Sequence, residues 1–368
     1  MQLSIKCDGC GTDLTYQSGT KNLVCSYCNH QLKIADADAA NEANRELNLE
    51  EYLQNYAQQN PPVERRVIRC KSCGAQTELA EHQQAGNCPF CATAYVFSQA
   101  ESTRLIKPQG LLPFHITQQQ AAASVQVWLR GLWFAPSKLK RQATQLDKMR
   151  GIYLPFWTYD CATATRYRGE RGERYSETVM EKDAQGNPVA RAVSKIRWHS
   201  ASGVFESDFD DVLIPASKSL PEDLLSSLEP WDLSALVDYQ DNYLAGYITE
   251  SYQVDLKTGY QQAQGIIDDR LRAEVRQRIG GDEQRISSID THYLNASFKH
   301  ILLPVWVSAY RFGDQSYQLI VNARTGAVQG KRPWSWVKIA SLVVGICGAI
   351  ALGIFLAGHG GGSAPLNP

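Results

Sequence analysis

Net charge is almost absent from this chain of 368 residues: 37 Lys and Arg stand against 38 Asp and Glu, for a formal charge of -1. A globally basic surface for a polyanion is therefore excluded, and any nucleic-acid contact would have to be local. The stretch Met1 to Cys10 lacks the basic start and apolar core of a secretory leader, so the amino terminus is expected to stay in the cytosol. The signatures of common chemistries are missing as well. There is no Gly-x4-Gly-Lys-Ser/Thr phosphate loop, no Gly-x-Ser-x-Gly elbow, no His-Glu-x2-His and no dinucleotide glycine fingerprint. ATP hydrolysis has no support, and a non-enzymatic protein is expected.

The chain does have cysteine, and in a pattern. Eight of its ten cysteines form four Cys-x2-Cys pairs: Cys7 and Cys10, Cys25 and Cys28, Cys70 and Cys73, Cys88 and Cys91. The two pairs of each half are 14 residues apart, and each cysteine of the second half lies 63 positions after its counterpart. This is a duplicated module. In a reducing compartment close pairs are metal ligands more often than disulfides. Four thiolates at tetrahedral corners suit Zn2+, although such a set also takes iron. A thioredoxin-type redox motif would need one pair opening a helix, not four in matched sets. With all four positions taken by thiolate, each zinc is expected to be structural rather than catalytic. Gly11 and Gly74 follow the second cysteine of a knuckle, where a left-handed residue is needed. Leu32 and Ile34, and Tyr95, Val96 and Phe97, read as strands closing the two ribbons. His30 is read as a surface residue rather than a ligand.

The expected architecture is multi-domain. Ribbon 1 spans 1–35, a helical linker 36–66, ribbon 2 67–100, an α+β soluble domain with antiparallel sheet 108–330, a transmembrane helix 337–357 and a Gly-rich tail 358–368. The linker carries Leu47, Leu49, Tyr52, Leu53 and Tyr56 at roughly helical intervals before a break at Pro61-Pro62.

From Ile339 to Ala357 no residue is charged, enough helix to cross about 28 Å at roughly 1.5 Å per residue. Lys331, Arg332 and Lys338, with Trp334 and Trp336, lie before it, and only His359 after it. That asymmetry predicts a single-pass anchor in the cytoplasmic (inner) membrane with its large part in the cytosol. With 11 residues after Ala357 the chain reads as tail-anchored. Ser341, Gly345, Ala349, Gly353 and Ala357 recur every fourth position, a stripe through which helices could pair. Cys347 lies off that stripe.

In the middle region two segments resemble each other, Ile152-Tyr-Leu-Pro-Phe-Trp157 and Ile301-Leu-Leu-Pro-Val-Trp306. Each reads as a half-buried strand. A strand is expected over Leu112 to Ile116, helices over Gln118–Phe134 and Gln261–Ile279, and a meander through Gly313-Asp314, Tyr317 to Val321, Thr325-Gly326 and Ala327 to Gln329. Arg166 to Arg174, alternating in charge through Gly169 and Gly172, reads as a solvated hairpin tip. Glu206, Asp208, Asp210 and Asp211 are the densest acidic cluster but lack calcium-loop spacing. His115, His199, His292 and His300 are isolated and read as ordinary core or surface histidines, and Cys161 as a small buried residue.

Tandem four-cysteine ribbons, a middle domain with Leu-Pro-x-Trp repeats and a Trp- and Lys-flanked terminal anchor together resemble a bacterial family of membrane-anchored double-zinc-ribbon proteins. Members are often encoded beside a phage-shock-protein-A-like protein and an SPFH-domain protein, and are frequently labelled primosomal helicase-like. The resemblance implies partner proteins held at the cytosolic membrane face, in a membrane-stress assembly. The competing expectation is a membrane-tethered nucleic-acid binder using Arg65, Arg66, Arg69 and Lys71 of the second ribbon.

Overall fold

The structure is a computed structural model. It describes residues 5–35, 42–59, 63–78, 85–91, 93–96, 101–133, 136, 149–182, 187–312, 315–331 and 335–359. The break at Pro61-Pro62, the turn at Gly313-Asp314 and the tail beyond His359 lie outside these residues.

The first ribbon is a three-stranded sheet of β1 (Leu14–Tyr16), β2 (Asn22–Cys25) and β3 (Gln31–Lys33). The segment read as a linker then gives β4 (Leu47–Asn48) and α1 (Leu49–Gln59). It does not hang free: β4 pairs with Ser297 and Phe298 of the central sheet, and Leu49 and Tyr52 are buried there. The second ribbon comprises β5 (Val63–Arg69), β6 (Gln76–Glu78), β7 (Ala85–Asn87), β8 (Ala94–Val96) and β9 (Glu101–Leu105). Its strands form a sheet in the order β6-β5-β9 and a hairpin β7-β8.

The remaining elements are β10 (Gly110–Leu111), α2 (Gln118–Gly131), β11 (Arg150–Lys182), β12 (Pro188–Pro215), α3 (Glu222–Ser226), β13 (Val237–Asp238), β14 (Ile248–Thr249), α4 (Leu256–Ile279), β15 (Glu283–Phe312), β16 (Gln315–Asn322), β17 (Val328–Gly330) and α5 (Trp336–His359). A nine-stranded sheet organises them around β12-β11-β15-β10-β13. It is antiparallel except where β10 runs parallel to β15 and β14 parallel to β11. The expected meander is β15-β16-β17, turning at Gly326 with φ 78°. The segment Leu112 to Ile116, expected as a strand, has no regular structure beyond the short β10, although Leu112 N still donates to Leu302 O at 3.0 Å.

The two similar segments are partners. Ile152 pairs with Val305, Leu154 with Leu303 and Phe156 with Ile301, so each copy lies antiparallel to the other at the centre of the sheet. Side chains alternate along a strand, and here the alternation divides two cores. Tyr153, Leu302, Trp306, Leu319 and Val321 face one side with α2 and ribbon 1. Ile152, Leu154, Phe156, Ile301, Leu303, Val305 and Ile320 face the other with α3 and ribbon 2. The ribbons are thus clamped on opposite faces of one sheet rather than strung ahead of it.

A third core lies under α4, whose Ala263, Ile267, Leu271 and Val275 recur every fourth position and are fully buried. Ile266, beside them in sequence, is exposed. Asp255 caps the helix by accepting from Thr258 N, and Gly280 ends it at φ 68°. Gly259 sits where a Cβ would come within 2.9 Å of Trp157 and nearer still to the Tyr159 hydroxyl. Both rings are pinned: Trp157 Nε1 donates to Val254 O at 2.9 Å and Tyr159 Oη to Leu256 O at 2.7 Å. Gly259→Ala should therefore lower unfolding stability by about 1–3 kcal/mol through overpacking, read as a lower urea midpoint with an unchanged slope. An unchanged midpoint would mean α4 shifts freely on the sheet.

The solvated tip expected at Arg166 to Arg174 is a correction. That stretch lies mid-strand in β11, paired to β12 on one side and, as far as Gly172, to β15 on the other. The strand runs on because charge alternating with Tyr or Gly is also the pattern of a half-buried strand: Arg166 and Arg168 are exposed, and Tyr167 and Gly169 are buried. Past Gly172 only β11 and β12 continue, from Glu173↔Arg197 to Lys182↔Pro188. This two-stranded arm extends roughly 30–35 Å beyond the sheet. Its side chains are exposed or half-buried on both faces. One face carries Glu177 with Lys195 at 2.6 Å and Glu181 with Arg191 at 3.1 Å. The other pairs Ser176 with Ser194, Thr178 with Ala192 and Met180 with Ala190, and carries no charge there.

Candidate metal centres and the elements around them

Each ribbon brings its four cysteines together. Within Cys7, Cys10, Cys25 and Cys28, and within Cys70, Cys73, Cys88 and Cys91, all sulfurs lie within 4.8 Å of one another. Cys7 Sγ is 3.5 Å from Cys28 Sγ and Cys10 Sγ 3.5 Å from Cys25 Sγ. The second site repeats the pairing, with Cys70 to Cys91 at 3.6 Å and Cys73 to Cys88 at 3.5 Å. A disulfide would need about 2.05 Å. Four sulfurs about 2.3 Å from a central ion sit roughly 3.7 Å apart, so both groups fit one tetrahedral metal ion each.

The knuckles explain how short loops achieve this. Gly11 N donates to Cys7 O and Gly74 N to Cys70 O, both at 2.8 Å, and the glycines take φ 73° and 77° as the spacing requires. Asn29 N closes the second knuckle of ribbon 1 onto Cys25 O at 3.0 Å with φ 59°. Cys7, Cys25, Cys70 and Cys88, the first cysteine of each pair, are buried, while Cys10 and Cys28 are exposed and Cys73 and Cys91 half-buried. An ion held by either group would therefore lie between the sheet's core and solvent. His30 is exposed, contributes its carbonyl to Cys25 N, and stands outside the ligand group.

Local donors favour thiolate. The Thr12 hydroxyl, 3.3 Å from Cys10 Sγ, and the Thr12 amide hold Cys10 down to about 6. Burial pushes Cys91 up, but the Thr93 hydroxyl at 3.2 Å and the Thr93 amide outweigh it and bring Cys91 to about 6. Burial pushes Cys73 up to about 12. Without an ion this thiol stays protonated at neutral pH, so filling the site expels a proton.

The sheet faces hold both ribbons by named contacts. Tyr16 N donates to Ala245 O at 2.9 Å, Gly19 N to Phe114 O at 2.8 Å, and the Tyr16 ring meets Tyr243 edge-on at 5.2 Å. On the opposite face, Ser251 N donates to Gln76 O at 3.0 Å, Arg150 Nη1 to Asn87 O at 2.9 Å, and Gln318 Nε2 to Phe90 O at 3.0 Å.

Of the acidic cluster, Asp210 and Asp211 stand beside a bulge in β11 and meet Asp160 and Glu46. Sequence reasoning missed Lys299, which fills the centre of this group. Its Nζ is 2.8 Å from Asp211, 3.6 Å from Glu46 and 3.9 Å from Asp160. No spacing rule links 46, 160, 211 and 299. Asp160 is 8% exposed and accepts from Asp211 N. Burial pushes it up to about 7 against the pull of that amide and of Lys299. His115, His199 and His292 are exposed, whereas His300 is buried.

Helix α5 contains a 20-residue stretch, Trp336–Phe355, with mean hydropathy 2.2 and none of it buried, although Lys338 Nζ near its start donates to Trp133 O at 3.3 Å. It is long and apolar enough to cross a membrane. Leu342, Val343, Ile346, Ile350, Ile354 and Phe355 all stand exposed.

No family model matches the chain, and no solved structure matches it. Among curated proteins, one from Bacillus subtilis (strain 168) described as "Uncharacterized protein YdjG" is 27% identical over 357 residues, covering 97% of this chain and 97% of the relative. The similarity thus runs nearly end to end, through both ribbons, the sheet and the apolar helix.

Proposed function

We propose that this chain is a non-enzymatic adaptor: α5 anchors it in the cytoplasmic membrane, two structural Zn2+ ions fix the ribbons, and the β11–β12 arm holds a partner protein at the cytosolic face. The observation that carries this reading is the arm. A two-stranded ribbon with no core of its own is marginal in water, and this one extends from a sheet that is complete without it. Its uncharged face of Ser176, Thr178, Met180, Ala190, Ala192 and Ser194 leaves room for a second surface to pack closely. Zinc fits the donor set better than a harder cation, and iron is the other metal that four thiolates accept. Lys331 before the helix and Lys338 in its first turn favour an amino-terminal side in the cytosol. The stripe of Ser341, Gly345, Ala349, Gly353 and Ala357 is the surface for pairing with a second membrane helix.

The partners that the family resemblance implies are a phage-shock-protein-A-like protein and an SPFH-domain protein. The test is capture of such a protein by the full chain from detergent-solubilised native membranes treated with nuclease. Replacing 176–194 by an Asn-Gly turn should abolish capture while leaving metal content and melting unchanged. Undiminished capture by the shortened arm would sink the reading.

Tethering of nucleic acid is the competing function. Arg65, one of its four basic residues, is turned inward, 3.8 Å from Glu78 and 3.4 Å from the Tyr239 hydroxyl, which leaves less charge for phosphates. That function would lead if nucleic acid co-purified without nuclease and about 0.5 M salt stripped it. The anchor is tested separately: a chain ending at residue 335 should move from the carbonate-washed membrane fraction to the soluble one. If it stays with the membrane, α5 is not the anchor.

A further inference from the structure

Helix α2 buries Ala121, Val125 and Leu129 in the core it shares with ribbon 1, and on its opposite side Ala123, Val127 and Arg130 are exposed. Val127 is 69% exposed and Trp133, just beyond the helix, 75%. The outward aim of Trp133 is imposed by the fold. Leu132 caps α2 in an extended conformation and is buried in the same core, and successive side chains of extended chain point opposite ways. The sequence from 118 to 146 holds no Asp or Glu, whereas Arg130, Lys138, Lys140 and Arg141 are basic. An isolated apolar side chain at a surface means little. The place of this one in the molecule gives it a meaning.

That place is the entry to α5. Lys338 Nζ donates to Trp133 O at 3.3 Å, and Lys338 is the last charged residue before the uncharged run from Ile339 to Ala357. With α5 in a bilayer, a lysine at that position carries its ammonium in the headgroup layer, which is about 5–7 Å deep on each side of the hydrocarbon. The Trp133 carbonyl then lies at headgroup depth. Two further connections hold α2 there. It packs on β16 and β17, and β17 leads directly into α5. Gly330 and Trp336 are six residues apart, a span of at most roughly 20 Å even when fully extended. The soluble body has no long stalk on which to stand away from the membrane.

We infer that α2 and Trp133 form a second membrane contact, in which the Trp133 ring and Val127 enter the headgroup layer of the cytosolic leaflet and Arg130 meets lipid phosphate. The occupant is a lipid surface rather than a protein because the patch is continuous with the start of α5 and carries the chemistry of a membrane interface: an aromatic ring, small apolar side chains and cations. Trp336, in the first turn of α5 and 80% exposed, supplies a second ring close to the same level. The contact rests on the reading of α5 as the membrane anchor. Two contacts, unlike one, fix the orientation of the body on the membrane.

The test labels the full, metal-loaded chain with 5-fluorotryptophan and places it in nanodiscs of phosphatidylcholine and phosphatidylglycerol in equal parts, with or without a nitroxide on the lipid headgroups. Trp133→Phe and Trp336→Phe, both at exposed positions, assign the two fluorine resonances. The nitroxide should broaden Trp133 and Trp336 by about threefold or more and leave Trp157, fully buried under α4, sharp. Val127→Asp should cut the broadening of Trp133 by about twofold or more and leave that of Trp336 unchanged. If Trp336 broadens while Trp133 stays as sharp as Trp157, the anchor stands, this contact is overturned, and Trp133 is left to a protein partner. If neither broadens, the anchor reading falls and the contact falls with it. Undiminished broadening of Trp133 in Val127→Asp overturns the part assigned to the α2 face.

Discussion

Cys25→Ser or Cys88→Ser should cost the protein one of its two metal ions and, with it, the packing of a whole sheet face. Each of these sulfurs is at most 1% exposed and belongs to a core cluster shared with the central strands: Cys25 with Leu111, Phe114, Tyr153 and Trp306, and Cys88 with Ile152, Leu154, Phe156 and Val305. Apparent binding energies for structural four-ligand sites are about 10–16 kcal/mol, while whole domains are stable by only about 5–15 kcal/mol. Losing the ion therefore loosens the ribbon and uncovers the apolar face beneath it. Metal analysis should fall from two equivalents per chain to one, and the thermal transition should drop by tens of degrees or split in two. Cys10→Ser, at an exposed ligand, should be milder, because water reaches that corner of the tetrahedron. If Cys25→Ser kept both metals and the original melting curve, the four-thiolate reading of the first ribbon would be wrong.

The metal sites were legible because their determinants are local. A knuckle needs two thiols and a left-handed residue within five positions, and both Gly11 and Gly74 take the φ that this demands. The strand repeats were legible for a similar reason, since their aromatic and β-branched residues sit within six positions. Their pairing with each other was not, because nothing in a short segment states its partner. The stretch Arg166 to Arg174 was misread as a tip at Gly169 and Gly172 because glycine marks turns more often than strands. Here each glycine gives way to a neighbour: a Cβ at Gly169 would meet Arg285 O, and one at Gly172 would meet Trp198 at 2.9 Å. His300 and Lys299 carry no local signal at all. Their roles come from residues up to about 250 positions away, joined only when β4, β12 and β15 assemble.

Lys299→Ala should be the most damaging change outside the metal ligands. Lys299 is 5% exposed and is the cation shared by Asp211, Asp160 and Glu46. Removing one partner of a fully buried ion pair costs about 3–5 kcal/mol, and the loss here should fall at or below the low end, because Glu46 and Asp211 reach water and only Asp160 is left buried. The loss should itself depend on pH. Asp160 is already raised to about 7 from an ordinary 3.8, so it favours folding fully below its unfolded value, and that contribution fades as pH rises through about 7. Without Lys299 its folded value rises further, and the variant should lose stability more steeply than the parent between pH 5 and about 8. Denaturant unfolding at pH 5 and at about pH 8 checks this. Equal losses at both values would mean that Asp160 is not an ionised partner of Lys299. Asp160→Asn in the Lys299→Ala background should recover part of the loss at the higher pH.

The clamp of ribbon 1 against the far end of the sheet has a consequence for the order of events during synthesis. Leu14, Tyr16, Leu23 and Ile34 bury themselves against Tyr243, Tyr247 and Trp306, residues made long after the ribbon has left the ribosome. At about 5–20 residues per second, the interval from Ile34 to Trp306 is roughly 15–50 s. Through that time the nascent ribbon lacks its seat, and its apolar side faces water. An ion taken up by Cys7, Cys10, Cys25 and Cys28 would hold the first ribbon in shape until the sheet forms, and α5 emerges only after β15 and β16 have supplied the surface that ends the wait.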